Sequence, residues 1–365
     1  MTNELNLPLI GIVAAALVVA LVVALITTPV VKNLAVRMGA VDVPRDGRRM
    51  HDHPIPRMGG LAIFFGFLLS VVVFMDLDGQ MRGMLLGAAI IVVLGIFDDI
   101  YSLRAMFKFV VQIIAALVAA LSGNVIEIVS NPNVFSSDLY WDLGCLAVPV
   151  TVVWIVAITN AVNLIDGLDG LACGVSAISS MTLLVISLAI SDGPVAVLMA
   201  ALTGACLGFL PFNMNPAKIF MGDTGSTFLG FILAVVSIQG LFKLYTIISF
   251  AVPFLMLGLP IFDTCFAFIR RIAHGQSPMH ADRSHVHHRL IDMGLNQKQA
   301  VAVLYIISAI LGLSAVVLTT SGPVKAMLLL MALCFAGAIA GRIFLGNNRR
   351  EREKESREPG EEEKQ

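Results

Sequence analysis

The chain has 365 residues, of which 58% are hydrophobic and 13% are charged, and its mean hydropathy is +0.88. Soluble domains carry about 25% charged residues, so this composition excludes a soluble globular protein and indicates an integral membrane protein. The formal net charge of −1 at pH 7 says little, because the positions of the charges carry the information.

Apolar segments dominate the chain and predict its fold. A helix needs about 17 to 25 apolar residues to cross a hydrocarbon core of about 30 Å. We therefore predict an all-α polytopic membrane protein with about eleven transmembrane helices in a transmembrane domain of residues 1–345. The predicted spans are residues 8–30, 58–75, 83–97, 105–122, 145–162, 170–191, 194–212, 226–240, 245–268, 298–320 and 324–345.

The basic residues predict the orientation. Of the 24 Lys and Arg residues, only Arg82, Lys243 and Lys325 lie in the connections that follow even-numbered spans. Basic residues accumulate on the cytoplasmic side, so we expect the N-terminus outside and the C-terminus inside. The first span has no Lys or Arg before it, and we expect it to be retained rather than cleaved as a signal peptide. Residues 346–365 are mostly charged and are predicted to be a disordered cytoplasmic tail.

The connection between the fourth and fifth spans predicts the one β element. Residues 125–129 and 139–141 are short β-prone runs on either side of an Asn-Pro-Asn turn. Two such runs around a turn are typical of a hairpin. We therefore expect a small β-hairpin on the outer side of the membrane.

Two adjacent carboxylates, Asp98 and Asp99, end the third predicted span. Neighbouring residues on a helix point about 100° apart, so we expect the two carboxylates to contact different partners. One can face a metal or a phosphate while the other orients a cation such as Lys108. The alternative is that the pair is a solvated helix end.

Four polar residues follow one another at the end of the fifth span: Asn160, Asn163, Asp166 and Asp169. The two asparagines are three residues apart and share a helix face. Amide and carboxylate oxygens at this density suit a hard cation such as Mg²⁺. Helix capping would explain one or two of these positions but not all four.

Residues 221–226, Met-Gly-Asp-Thr-Gly-Ser, open the eighth span. The glycines permit close backbone approach, and the unpaired N–H groups of a helix start offer a phosphate site. A bare phosphate would repel Asp223, which fits better as a metal ligand. Asp-Thr-Gly also occurs in aspartic proteases, but those need two equivalent carboxylates, and the chain has no second Asp-Thr-Gly.

A cluster of histidine and arginine follows the ninth span, and it consists of Arg283, His285, His287, His288 and Arg289. Zinc binding is one interpretation, but zinc usually needs a fourth ligand or an open position in a dry shell. Phosphate or sugar binding is favoured, because Arg and His donate hydrogen bonds to phosphate oxygens. Basic residues within 45–57 could reinforce this site, or could only set the membrane orientation.

In this order, the motifs resemble the signatures of the polyprenyl-phosphate N-acetylhexosamine-1-phosphate transferase family over about residues 42–290. The resemblance implies transfer of a sugar 1-phosphate from a UDP-sugar to a polyprenyl phosphate, with release of UMP and use of Mg²⁺ or Mn²⁺. It implies undecaprenyl phosphate and the bilayer of a bacterial inner membrane as partners, with the active site on the cytoplasmic face. It allows a homodimer, and we expect no nucleic-acid partner.

The resemblance also implies roles for the matched residues. Asn163 and Asp223 look like metal ligands, and Lys108 looks like a phosphate-binding lysine. Asp98 is the candidate base, and Phe220 resembles the residue that stacks on uracil. The candidate catalytic residues are therefore Asp98, Asp99 and Lys108, and the candidate substrate-binding residues are Asn160, Asp166, Asp169, Phe220, Arg283, His285, His287, His288 and Arg289.

The form His-Val-His-His at 285–288 resembles the branch that uses UDP-N-acetylglucosamine, or a related N-acetylhexosamine, to prime surface polysaccharides. The muramyl-pentapeptide branch typically shows three consecutive histidines. Val286 stands where isoleucine is more usual, which leaves the exact sugar open. An alternative of a different class is an ion-coupled transporter, because intramembrane carboxylates often mark ion paths. The motifs here lie at the ends of spans rather than at mid-membrane.

Overall fold

Helices make up nearly all of the structure, a computed structural model that describes residues 7–44, 53–130, 140–240, 248–273 and 285–333. In chain order the helices are α1 (Leu7–Met38), α2 (Gly60–Phe74), α3 (Gly79–Tyr101), α4 (Ala105–Leu121), α5 (Ala147–Leu164), α6 (Leu171–Ala189), α7 (Gly193–Asn213), α8 (Gly222–Gly240), α9 (Ile248–Met256), α10 (Gly258–Ala273), α11 (Val286–Asp292) and α12 (Gln297–Ser321).

Six of these helices, α1, α3, α5, α6, α7 and α12, are long and apolar enough to cross a membrane. α2, α4 and a helix from Pro323 to Leu333 are apolar but shorter. The prediction of an all-α integral membrane protein is confirmed, and the number of eleven spans stays a prediction. The charged tail, residues 346–365, lies outside the described residues.

The predicted ninth span, residues 245–268, is divided into two helices. α9 ends at Met256 and α10 begins at Gly258. Pro260 has no N–H, so it cannot donate to the Met256 carbonyl four residues earlier. The hydroxyl of Ser179 in α6 donates to that carbonyl instead, at 2.9 Å. The break is therefore stabilised by a neighbouring helix.

Two short antiparallel strand pairs interrupt the helices. β3 (Ile128–Ser130) pairs with β4 (Tyr140–Asp142), with Val129 opposite Trp141, which confirms the predicted hairpin. Its tip, residues 131–139, lies outside the described residues. β1 (Val41–Asp42) pairs with β2 (Ile55–Pro56) between α1 and α2, a pair that the sequence patterns did not predict.

α8 is the central helix of the bundle. Every residue from Thr224 to Ile238 is buried, and α8 packs against α2, α3, α5, α6 and α7. A helix that is buried on all sides can be apolar all round, as this one is from Phe228 to Val236. The first turn carries the polar segment 222–226, so the packing of α8 brings that segment among the ends of neighbouring helices.

Small residues hold α1 close to α7. Ala16, Ala20 and Ala24 of α1 are fully buried. A Cβ atom on Gly204 of α7 would overlap the carbonyl of Leu17 in α1. Such close backbone contacts are typical of helix pairs in membranes, where packing rather than the hydrophobic effect drives association.

We expect Gly204→Val to separate α1 from α7 and to lower the free energy of unfolding by about 1–3 kcal/mol, the usual cost of overpacking. Thermal denaturation of the detergent-solubilised protein measures the effect. Gly11→Val is the matched control, because a Cβ on Gly11 meets nothing within 4 Å. Equal melting midpoints for the two variants would contradict the packing described here.

Candidate active site

Residues from most of the predicted motifs line one cavity of about 330 Å³ at the start of α8. The predicted site residues in its wall are Asp166, Asp169, Phe220, Asp223 and His288. The volume is at the lower end of the range of about 300–1,000 Å³ typical of small-molecule sites. The loop between α5 and α6, the start of α8 and the short helix α11 therefore meet at one place.

Lys108 joins two carboxylates next to this cavity. Its Nζ lies 2.8 Å from Asp98 Oδ2 and 3.0 Å from Asp223 Oδ2. The three residues come from the end of α3, the first turn of α4 and the start of α8. Two carboxylates in a partly buried site repel each other, so the ammonium group between them stabilises their approach.

Asp99 has different partners from Asp98. Its Oδ1 accepts a hydrogen bond from the backbone N–H of Asp223 at 3.0 Å. Its Oδ2 accepts from the backbone N–H and the hydroxyl of Thr224, at 3.2 and 2.7 Å. Asp99 therefore binds N–H groups at the start of α8 that have no partner within the helix, where we had expected a phosphate, and a negative charge is favourable there.

Glycines make this contact possible. A Cβ on Gly60 of α2 would overlap the backbone of Gly225, and a Cβ on Gly95 of α3 would overlap the backbone of Thr224. Gly222 has φ of 73°, and a Cβ there would strike the Asp99 carboxylate. The glycines of segment 222–226 thus permit close packing against protein, and Gly222 also lines the cavity.

The two asparagines of α5 face different neighbours. The amide of Asn163 donates to Ser226 Oγ at 2.8 Å and is close enough to the Asp223 carboxylate to stabilise its charge. The amide of Asn160 donates to Gln112 Oε1 in α4 at 2.7 Å and to the Val156 carbonyl at 2.8 Å. Asn163 is therefore beside Asp223, and Asn160 lies in the contact between α4 and α5.

The loop between α5 and α6 supplies two carboxylates to the cavity wall. Asp169 Oδ2 accepts from the amide of Asn215 at 2.9 Å and from the N–H of Ala217 at 3.1 Å. Burial, and after it the negative charge of Asp223, raises the pKa of Asp166 above its usual range. Asp169 is thus fixed as a hydrogen-bond acceptor, whereas Asp166 favours a proton or a nearby cation.

Asp263 of α10 fixes the start of α11. Its Oδ2 lies 2.8 Å from His285 Nδ1, and its Oδ1 accepts from the N–H of Val286 at 2.8 Å. His285 is buried against this carboxylate rather than in the cavity wall. Asp263 therefore sets the position of the helix that carries the next two histidines.

The remaining residues of the histidine cluster lie at different depths. His287 is 3% exposed and packs against Gly167, while His288 lines the cavity. Burial, and then the neighbouring His288, lowers the pKa of His287 to about 4, so this ring is neutral at pH 7. The Arg289 guanidinium lies 4.9 Å from the Phe266 ring centre. Arg283 is outside the described residues.

The donor chemistry fits a divalent metal shared with a substrate. In the part of the chain that the structure describes, no group of three or more His, Cys, Asp or Glu side chains could hold a metal ion alone. Mg²⁺, however, is usually held by one or two carboxylates together with substrate phosphates. Asp223 and Asn163 offer such a partial ligand set, and Asp98 and Asp223 already surround the cationic Nζ of Lys108.

Several residues of the site were not singled out from the sequence. Asn215 donates to both Asp169 and Gln297, at 2.9 and 2.7 Å, and so ties α12 to the cavity wall. Asp263 is a carboxylate within an apolar run, which is a signal of function in a membrane segment. The capping box formed by Asn296 and Gln299 is a sequence signal for the start of α12, where Gln297 lies. That signal does not reveal which residues Gln297 contacts in the folded chain.

Comparison with known proteins shows the family of the chain. The profile of the family described as glycosyl transferase family 4 matches residues 81–241. The chain is 46% identical over 312 residues to a "Probable undecaprenyl-phosphate N-acetylglucosaminyl 1-phosphate transferase" of Bacillus subtilis (strain 168), covering 85% of this chain and 86% of the relative.

More distant relatives include both branches. A "Decaprenyl-phosphate N-acetylglucosaminephosphotransferase" of Mycolicibacterium smegmatis is 33% identical over 338 residues, or 85% of this chain and 81% of the relative. A "Phospho-N-acetylmuramoyl-pentapeptide-transferase" of Clostridium beijerinckii is 32% identical over 285 residues, or 74% and 85%. As its motifs predicted, the chain belongs to the polyprenyl-phosphate N-acetylhexosamine-1-phosphate transferase family.

Proposed function

We propose that the chain transfers N-acetylglucosamine 1-phosphate from UDP-N-acetylglucosamine to undecaprenyl phosphate, releases UMP and primes the synthesis of a cell-surface polysaccharide. The observation that carries the proposal is the cavity, which gathers Asp166, Asp169, Phe220, Asp223 and His288 beside the Lys108 cluster. The sugar is favoured because the relative named for N-acetylglucosaminyl transfer shares 46% identity, against 32% for the muramoyl-pentapeptide transferase.

The cavity wall supports an assignment of the nucleotide. Phe220 offers an aromatic face, and Asp169 is held by Asn215 and Ala217 as an acceptor for a base N–H. Stacking and a fixed acceptor together suit a uracil base. His288 and Asp223 line the same cavity and would lie beside the diphosphate and the sugar.

Two residues would hold the metal that the family resemblance implies. Asn163 and Asp223 lie together at the start of α8 and would bind Mg²⁺ or Mn²⁺ along with the phosphates of the nucleotide. When bound, the metal supplies positive charge that neutralises the diphosphate and the leaving UMP. The chain itself contributes Lys108, whose ammonium is placed to receive an incoming phosphate.

A single in-line displacement accounts for the site most simply: the lipid phosphate attacks the β-phosphorus of the nucleotide sugar, and UMP leaves. A phosphate monoester has a second pKa near 6 and is largely dianionic at pH 7, so it needs little help from a base. Both oxygens of Asp98 have partners already, Leu103 N–H at 2.7 Å and Lys108 Nζ at 2.8 Å. These bonds favour Asp98 as the group that positions Lys108.

A double displacement through a phosphorylated Asp98 would first have to break these bonds. It would give ping-pong kinetics and a trapped covalent adduct, neither of which a single displacement produces.

Two apolar grooves could hold the polyprenyl chain. One, of about 300 Å³, is lined by residues such as Trp154 and Ala161 of α5 and Ile261 of α10. The other, of about 590 Å³, includes Phe97 and Phe107, the chain neighbours of Asp98 and Lys108. The distribution of basic residues supports a site at the cytoplasmic surface of a bacterial inner membrane.

We expect purified protein to move radiolabel from UDP-N-acetylglucosamine into undecaprenyl phosphate in the presence of Mg²⁺, with matching release of UMP. Asp223→Asn should lower the rate by about 10²-fold or more, because the variant loses a carboxylate ligand of the metal that neutralises the reacting phosphates. Other UDP-N-acetylhexosamines tested in parallel identify the sugar. If none transfers while the folded protein binds Mg²⁺, the proposed reaction is wrong, and nucleotide-independent ion flux in proteoliposomes becomes the next test.

The stability of the protein should depend on pH through His287. An unfolded histidine has a pKa of about 6.5, whereas His287 in the folded protein has one of about 4. Between these values the unfolded chain binds more protons, so stability conferred by neutral His287 is complete above pH 6.5 and falls as the pH drops toward 4. We expect the melting midpoint of His287→Gln to fall less over this range than that of the wild type. If the melting midpoints of the two proteins fell equally with pH, His287 would not be buried as a neutral ring.

A further inference from the structure

The pair of strands β1 and β2 forms a wall of the cavity that no motif predicted. Asp42, His53, Ile55 and Arg57 from this segment all line it. The segment precedes residues 81–241, so it lies outside the part of the chain that the family profile matches. Its contribution to the site must therefore be judged from its own contacts.

The backbone at Arg57 is fixed on both sides. Its N–H donates to the Ala40 carbonyl at 2.8 Å. On one side the Pro56 carbonyl accepts from Phe220 N–H at 2.8 Å, and on the other Gly59 N–H donates to the Phe220 carbonyl at 2.9 Å. Met58, between them, is 1% exposed and has φ of 68°, a conformation that costs energy for a residue with a side chain. The position of Arg57 beside Phe220 is thus built into the fold.

The guanidinium is oriented but not enclosed. Arg57 Nη2 lies 3.2 Å from Asp42 Oδ1, and Asp42 is itself 7% exposed. The Arg57 side chain remains 33% exposed and is close enough to Asp166 for their charges to interact. A guanidinium has five N–H donors in a planar fork, so a contact from one nitrogen to Asp42 fixes the group and leaves donors directed elsewhere.

The side chains that line the cavity carry more negative charge than positive charge. Four carboxylates line the cavity, those of Asp42, Asp166, Asp169 and Asp223. Among the lining residues that the structure describes, Arg57 is the only Lys or Arg. A nucleotide with a charged phosphate would be repelled by such a wall unless positive charge lay inside it. A charge that served only to set membrane orientation would need neither this anchoring nor this position.

We propose that Arg57, oriented by Asp42, is a nucleotide-binding residue that donates hydrogen bonds to phosphate oxygens of the bound uridine nucleotide. Guanidinium and phosphate form strong charge-assisted hydrogen bonds with matching geometry. The inference rests on the proposed function, and for Arg57 it decides between the two roles that the sequence left open for the basic residues within 45–57, which were phosphate binding and membrane orientation.

The test is calorimetric titration of UMP, uridine and UDP-N-acetylglucosamine into the intact detergent-solubilised protein with Mg²⁺ present. Arg57→Met should weaken binding of UMP and of the nucleotide sugar by roughly 10- to 100-fold, the effect of losing a charge-assisted hydrogen bond. Uridine has no phosphate, so its affinity for Arg57→Met should stay within about twofold of its affinity for the wild type. Arg57→Lys keeps the charge and should recover part of the loss, and Asp42→Asn should weaken UMP binding less than Arg57→Met.

Arg82→Met is the matched control, because Arg82 is exposed on the first turn of α3, at the opposite end of that helix from Asp98 and Asp99. Unchanged UMP binding by a folded Arg57→Met would overturn the inference, and so would an equal loss of uridine binding, which would place Arg57 on the nucleoside. If the wild-type protein bound neither UMP nor UDP-N-acetylglucosamine, the proposed function itself would fail.

Discussion

The site depends on the close approach of the start of α8 to α2 and α3. At two contact points, Gly60 against Gly225 and Gly95 against Thr224, a single added methyl group would overlap backbone. This approach lets the Asp99 carboxylate reach two N–H groups of the first turn of α8. A turn held by backbone packing and by charge-assisted hydrogen bonds is rigid, so the side chain of Asp223 is fixed relative to α3 and α4.

Charge balance follows from this geometry. Bringing Asp223 to the end of α3 places it near Asp98, and Lys108 lies between the two. The cavity beyond them has more carboxylates than cations, which makes it a poor site for a bare anion and a good one for an anion that arrives with a metal. The residues of α8 from Phe228 to Val236 are apolar, so the polar side chains of the site lie at one end of the bundle.

The sequence predicted the membrane fold and five of the side chains that meet in the cavity, because spans and motifs are local patterns. It predicted that Asp98 and Asp99 have different partners, which their angular separation on a helix requires. It did not predict that Asp99 binds the start of α8, or that Asp263 fixes His285, because these contacts join residues far apart in the chain. The break between α9 and α10 was missed although Pro260 lies within the predicted span, and its stabilisation by Ser179 depends on another helix.

A double-mutant cycle on the transfer rate tests the central claim, that Lys108 and Asp223 act as one unit in a single site. Lys108→Met, Asp223→Asn and the double variant are compared with the wild type, after thermal denaturation has shown that each is folded. We expect strong non-additivity, with the double variant no slower than the slower single variant, because either change disrupts the same charge cluster. If the two losses multiply in the double variant, the residues act independently, and the shared site described here is wrong.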